Sequence, residues 1–399
     1  MTKDIEHKSL NFKSTIILLL CGFIVFSPIS SKITMNILKL PLALPEILFL
    51  PFYFYLKKRI DLTINKKVFL IGLFIITFLL AISFLVDNYP PTSVLSTARG
   101  YFHMLLSFSI FRNKEIKNIN YIMFLAFGST IGWLFANLLF LNELINNLSF
   151  YNTLAVYGNM IMLSLAMSIP IIFKKSKYVF FALIGGLSLS FSAGTRRQII
   201  IFVSSYMLSF FLAIKWSFKG ISKTILVALI FLSFILTVYP IAEEFIYDIS
   251  PGLHGRIFKK SEQFITGEEN SSDVHRTGSL LNFLNNLDEN LFTRGFVSKR
   301  TMQDKGTGLY MDSPYIELFY TFSFTGAVFI LLLLIKRLFF HFKNYLFKGV
   351  TESGVCVVSI TTIFILIMVE GSFLNWSYIT PCTGYILARI FSSRNLIKT

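Results

Sequence analysis

The chain has 399 residues, of which 54% are hydrophobic and only 15% charged, and it carries a formal net charge of +16. Its mean hydropathy is +0.66. A soluble domain is about 25% charged, so the two or three soluble domains that the length alone would allow are excluded.

A membrane helix needs about 20 mostly apolar residues. In chain order such stretches fall at residues 15–31, 37–56, 68–86, 94–111, 119–141, 154–173, 178–193, 198–214, 224–242, 313–335, 353–374 and 377–391. The predicted fold is an all-α polytopic membrane protein with about twelve transmembrane helices. The first stretch is followed by Ser27-Pro28-Ile29-Ser30-Ser31-Lys32 rather than a small-x-small cleavage site, so it is expected to stay as a signal anchor. The second contains Pro41, Pro45 and Pro51, which kink a membrane helix without abolishing it. The fourth carries Arg99 and His103 and is the least apolar in character. Cys21, Cys356 and Cys382 all lie in apolar stretches with no CxxC pair, so they specify neither a disulfide framework nor a metal site and leave the redox compartment open.

The charges sort by side. With a cytoplasmic N-terminus, the segments 1–14, 57–67, 112–118, 174–177, 215–223, 336–352 and 389–399 face the cytoplasm and hold 24 of the 37 Lys and Arg residues. The short connections on the other side carry only Lys32, Arg99, Arg196 and Arg197. Short loops obey this positive-inside asymmetry, so both termini are expected inside. Basic charge at a cytoplasmic membrane surface is a statement about topology, and it leaves no reason to propose a nucleic-acid partner.

The chain then divides into spans one to nine (1–242), a large outer loop (243–312) and spans ten to twelve (313–399). The loop holds 11 acidic and 8 basic residues. Its length points to function rather than linkage. Within it Leu280, Leu281, Phe283, Leu284, Leu287 and Leu291 recur at helical spacing, so the loop is expected to be partly helical.

Three outer features can carry chemistry. The first is the turn Ser192-Ala193-Gly194-Thr195-Arg196-Arg197-Gln198, with two arginines where the topology rule disfavours them. Arginine binds phosphate oxygens in a bidentate fork. Gly194 permits close backbone approach, Thr195 can cap the following helix, and that helix N-terminus favours an anion. A headgroup anchor or a structural ion pair is the alternative. The second is Asp273-Val274-His275-Arg276, with Thr293-Arg294-Gly295-Phe296 further on; taken alone, such residues in a polar loop are more often merely solvated. The third is the run from Tyr310 to Tyr320, which includes Asp312, Tyr315 and Glu317. A carboxylate here can act as general base or bind sugar hydroxyls, with Tyr310, Tyr315 and Tyr320 as stacking surfaces. Asp312 can equally cap the helix. Glu317 sits inside an apolar helix, where a carboxylate faces a cavity or a partner. Arg99 and His103 share a helix face at i and i+4. With Glu46 and Glu370 they are structural or functional with equal weight.

No phosphate loop, dinucleotide fingerprint or HExxH spacing occurs, so a nucleotide-driven pump is unsupported. The chain resembles the Wzy-type O-antigen and capsule polymerases, which are related to the O-antigen ligases. The resemblance spans most of the chain. It rests on the twelve spans, the S-x-G-[ST]-R turn at Ser192–Arg196 and the late outer loop. In that loop Arg276, a helix over Leu280–Leu291, Gly295-Phe296, Asp312-Ser313 and Gly326 follow the family's order. The ligases usually show His where this chain has Asp312, which favours the polymerase.

The resemblance implies a C-type glycosyltransferase-like fold in the bacterial inner membrane, with its active site on the periplasmic face and no metal or other cofactor. The donor would be a glycan on undecaprenyl pyrophosphate and the acceptor a repeat unit on a second such carrier. A chain-length regulator would be the protein partner. Arg196, Arg197 and Arg276 would hold the pyrophosphate, with Arg99, Arg294 and Tyr315 as further binding residues. Asp312, His275 or Glu317 would serve as base or acceptor orienter. A ligase that moves the finished glycan is the near alternative. A lipid-linked oligosaccharide flippase is the distant one, because the chain lacks the matched half-repeats of transporters.

Overall fold

A computed structural model describes residues 11–29, 64–85, 88–112, 119–139, 158–192, 196–214, 291–297, 314–369 and 379–392, with scattered positions between 222 and 287. The helices among these are α1 (Phe12–Val25), α2 (Lys66–Leu85), α3 (Pro91–Phe111), α4 (Asn120–Leu139), α5 (Met160–Ile172), α6 (Ser176–Ser192), α7 (Arg196–Ala213), α8 (Pro314–Lys348), α9 (Thr351–Val369) and α10 (Thr380–Ile390). No strand occurs among the described residues. Among the described residues, four helices are long and apolar enough to cross a membrane: α2, α4, α8 and α9. Shorter apolar helices are α1, α5 and parts of α6 and α7. The protein is therefore an all-helical membrane protein. The stretch predicted as the second span, 37–56, lies outside the described residues, as does most of 224–242.

Small residues let the helices approach closely. Gly128 and Gly132 of α4 lie one turn apart against α1, where a Cβ on Gly128 would meet the Leu19 carbonyl and one on Gly132 the Ser27 side chain. The Ser129 hydroxyl donates to the Phe26 carbonyl at 2.6 Å on the same seam. This is the small-xxx-small packing of membrane helices. α5 is buried along its whole length. Its Ser164 hydroxyl meets Thr362 of α9 at 2.8 Å, and Ser205 of α7 reaches the same Thr362 at 3.4 Å. Interhelical hydrogen bonds of this kind average only about 0.6 kcal/mol in a bilayer. Dispersion between closely packed helices therefore carries most of the association.

The contacts gather the helix ends into two rims. At one, the Asn65 amide bonds the Ser109 carbonyl at 3.0 Å, Lys175 bonds the Asn120 side chain, and the Tyr345 hydroxyl bonds the Leu212 carbonyl at 2.5 Å. Burial lowers the pKa of Lys175 there. The Glu352–Arg389 ion pair belongs to the same rim, with Arg389 Nε 2.6 Å from Glu352 Oε1 and both side chains almost fully buried. His341 next to it bonds the Ile390 carbonyl at 2.8 Å and Ser353 at 3.3 Å. At the other rim the Asn159 amide donates to the Phe26 carbonyl at 3.2 Å and lies 3.4 Å from Cys382 Sγ. The Phe296 amide bonds Ser83 Oγ at 2.7 Å there.

Helix α8 departs from the sequence expectation in two ways. The residues after 335 were expected to be a charged connection, yet the helix runs on to Lys348. Leu338, Phe342 and Tyr345 pack against the core and His341 is fully buried, so this stretch is an extension with one packed face; Lys336, Lys343 and Lys348 are exposed, and half-buried Arg337 stacks on Phe340 and Phe391. The second departure is a break. Ser323 has φ 64 and ψ 163, which divides α8 into two helical halves. The Ser323 side chain accepts the Gly326 amide at 3.1 Å and so caps the second half.

Candidate functional site at the broken helix

A helix that stops leaves its last carbonyls without intrahelical partners. Tyr320 and Thr321, just before the break, find theirs in the outer loop. The Arg294 amide donates to the Tyr320 carbonyl at 2.9 Å, and the Thr293 hydroxyl donates to the Thr321 carbonyl at 2.5 Å. Thr293 Oγ1 also accepts the Gly295 amide at 3.1 Å, which closes a tight turn. Gly295 then takes φ 75 and lies flat against α2. A Cβ there would sit 2.2 Å from Ser83 Oγ and 2.6 Å from the Leu79 carbonyl, so the contact admits only glycine.

Aromatic rings complete the junction. Phe283 of the loop is fully buried, 5.4 Å from Phe319 and 5.3 Å from Tyr320 between ring centroids. Phe296 packs on Tyr101 of α3 at 5.1 Å, and Tyr101 also meets Phe322 at 5.9 Å. The loop thus touches α2, α3 and α8 together.

The polar groups of the site are set on this scaffold. Glu317 lies one helical turn before Tyr320 and Thr321 and is 4% exposed. The Tyr101 phenol lies in the field of Glu317 and beside the Thr321 hydroxyl. The Arg294 guanidinium covers the Tyr320 ring, 5.4 Å from its centroid. A cation held over the ring of Tyr320, one helical turn along from a buried carboxylate, can pair with an anionic group.

Several expected site residues fall elsewhere. Arg196 and Arg197 open α7 at the same rim as Arg294, placed by their backbone alone. Arg99 is half-buried and interacts electrostatically with His103, as their shared face requires. Tyr315 is half-buried, with its ring 6.4 Å from Phe319. Asp312, His275, Arg276, Tyr310, Glu46, Glu370, Gly194 and Thr195 lie outside the described residues. Residues 278, 281 and 283–285 are helical as expected, but a turn at Asn286–Leu287 follows, so Leu291 belongs to a bend instead.

The sequence assigns no role to Tyr101, Ser83, Thr293 or Ser323, although Thr293 heads the Thr-Arg-Gly-Phe run. Three are ordinary small polar residues and the fourth is one tyrosine among 17. Their one visible signal was adjacency, with Thr293 next to the Arg-Gly-Phe turn.

Fold and site define an all-helical membrane protein with a cation-bearing polar cluster at one rim. No protein-family model, curated protein or solved structure matches the chain.

Proposed function

We propose that the chain is a Wzy-type polysaccharide polymerase, a glycosyltransferase that joins undecaprenyl-pyrophosphate-linked repeat units of an O-antigen or capsule. The observation that carries the reading is Arg294, fixed by its own backbone to the broken helix and laid over Tyr320 one turn from buried Glu317. Buried ionisable groups in a membrane helix are costly and mark sites, and a helix break in a membrane protein lines a cavity or a protein contact. Supporting it is the sorting of charge: Lys66, Lys67, Arg112, Lys174, Lys175, Lys177, Lys343 and Lys348 sit at the rim opposite to Arg294.

In this proposal about twelve spans cross the bacterial inner membrane, both termini are cytoplasmic, and the Arg294 rim is periplasmic. A hydroxyl of the acceptor repeat unit attacks the anomeric carbon of the donor glycan. The new carbon–oxygen bond forms as the bond to pyrophosphate breaks. The acceptor proton passes to Glu317, Asp312 or His275, and undecaprenyl pyrophosphate leaves. Positive charge from Arg196, Arg197, Arg276 and Arg294 stabilises the departing pyrophosphate. Arg99 and Tyr315 hold the glycans, and a chain-length regulator acts beside the enzyme.

Polymerisation of purified lipid-linked repeat units by the protein in proteoliposomes tests the reading. Ladder formation by wild type, lost in Glu317→Gln and in Arg294→Ala at equal protein level, is the expected result. Transfer of finished glycan to an acceptor lipid without ladder growth would make it a ligase. Movement of repeat units across the vesicle without new bonds would make it a flippase.

A further inference from the structure

The outer loop is anchored partway along two apolar helices rather than at their ends. α2 is an apolar helix of 20 residues, about 30 Å long and so matched to the hydrocarbon core. The loop touches it at Leu79 and Ser83, and Leu79 is six residues, or about 9 Å, short of the helix end at Leu85. On α8 the anchor points are the Tyr320 and Thr321 carbonyls, which lie at a similar depth from the helix start at Pro314. Phe283 reaches further, packing 6.5 Å from Phe324.

At that depth the loop presents apolar side chains outward. Phe283 faces the protein, whereas its neighbours Leu281 and Leu284 are 53% and 48% exposed, and Phe292 is 79% exposed. Two leucines and a phenylalanine exposed at this depth, with Asn285 as the exposed polar neighbour, are costly to leave in water. The helix that anchors the loop, α2, itself exposes Leu70, Phe74, Phe78 and Leu85, as an apolar helix facing lipid does.

We propose that Leu281, Leu284 and Phe292 of the outer loop lie in the outer membrane interface, in contact with the acyl chains of bilayer lipid. The loop is then a membrane-inserted wall beside the helix break rather than a solvated lid over it. Amphipathic elements of this kind bury their apolar face about 5–10 Å into the headgroup and acyl boundary, which is the depth of the anchor points. The proposal goes beyond glycosyl transfer and stands or falls without it.

The test uses the full-length wild-type chain in nanodiscs of phosphatidylethanolamine and phosphatidylglycerol that contain a lipid with a photoactivatable diazirine on its acyl chain. Adducts mapped by mass spectrometry are expected on α2 and also on the peptide that contains Leu281, Leu284 and Phe292. Adducts on α2 with none on that peptide would overturn the proposal. A second measurement places a fluorophore on a single cysteine at Leu284 or Phe292, after Cys21, Cys356 and Cys382 are replaced. Quenching should be several-fold stronger by a lipid-borne nitroxide than by aqueous iodide. Stronger quenching by iodide means that the face is in water. Protection from both, with cross-links between copies, means that a second copy covers it. Either result refutes lipid as the occupant.

Discussion

Arg294 engages Tyr320 twice: its amide donates to the Tyr320 carbonyl at 2.9 Å, and its guanidinium covers the Tyr320 ring 5.4 Å from the centroid. The first contact exists because α8 breaks at Ser323 and frees that carbonyl. The second places a flat cation one turn from Glu317. Backbone and side chain of one loop residue thus couple the outer loop to the broken helix.

Arg294→Lys keeps the charge and the backbone bond but loses the planar group that stacks on the ring. Cation–π contacts contribute about 0.5–2 kcal/mol depending on desolvation. We expect normal membrane levels and at least a several-fold drop in ladder formation. Wild-type ladders from this variant would show that the stack is dispensable.

Thr293→Val removes the donor to the Thr321 carbonyl and the acceptor for the Gly295 amide. A typical net loss is about 1 kcal/mol per hydrogen bond. Hydrogen exchange should quicken over 291–297 while the packed helices α5 and α9 stay protected. Unchanged exchange in the loop would mean that these bonds do not hold it.

Gly295→Ala faces both a left-handed backbone and a collision with Ser83 and Leu79. The conformation alone costs about 1–2 kcal/mol, and the collision adds to it. Ser83→Ala removes the bond to the Phe296 amide and the hydroxyl's own donation to the Leu79 carbonyl, leaves the backbone unstrained and should be milder. Limited proteolysis of the outer loop should rank the variants Gly295→Ala, Ser83→Ala, wild type, from most to least cleaved.

Removing one member of the Glu352–Arg389 pair leaves the other charge buried and unpaired, at a cost of about 3–5 kcal/mol. Glu352→Gln and Arg389→Gln should each reduce folded protein in detergent-resistant gels or thermal melts. The joint replacement Glu352→Leu with Arg389→Met should recover most of the loss. If it falls as far as the sum of the single changes, the two residues are not coupled.

The long apolar helices were legible because membrane helices are long apolar runs, and α2, α4, α8 and α9, the four long enough to cross a bilayer among the described residues, each begin within a few residues of a stretch read from hydropathy. Glu317 was legible for a related reason, as a charge in an apolar run stands out. Its neighbours were not. Tyr101 lies in the field of Glu317 and packs on Phe296 and Phe322 from a helix about two hundred positions earlier, and nothing local marks it. The pair Glu352–Arg389 was split between two segments, each counted only as cytoplasmic charge. The residues after 335 looked like a connection because charge was weighed without its periodicity.

Sequence alone determined the apolar helical class and where the long apolar helices of the described residues lie. Each of these depends on local transfer free energy, summed residue by residue along the chain. Tertiary structure alone decided where α8 breaks, which loop residues cap the freed carbonyls and which buried charges pair. Those outcomes depend on partners far away in the chain, since a broken helix persists only where another segment satisfies the groups that the break exposes.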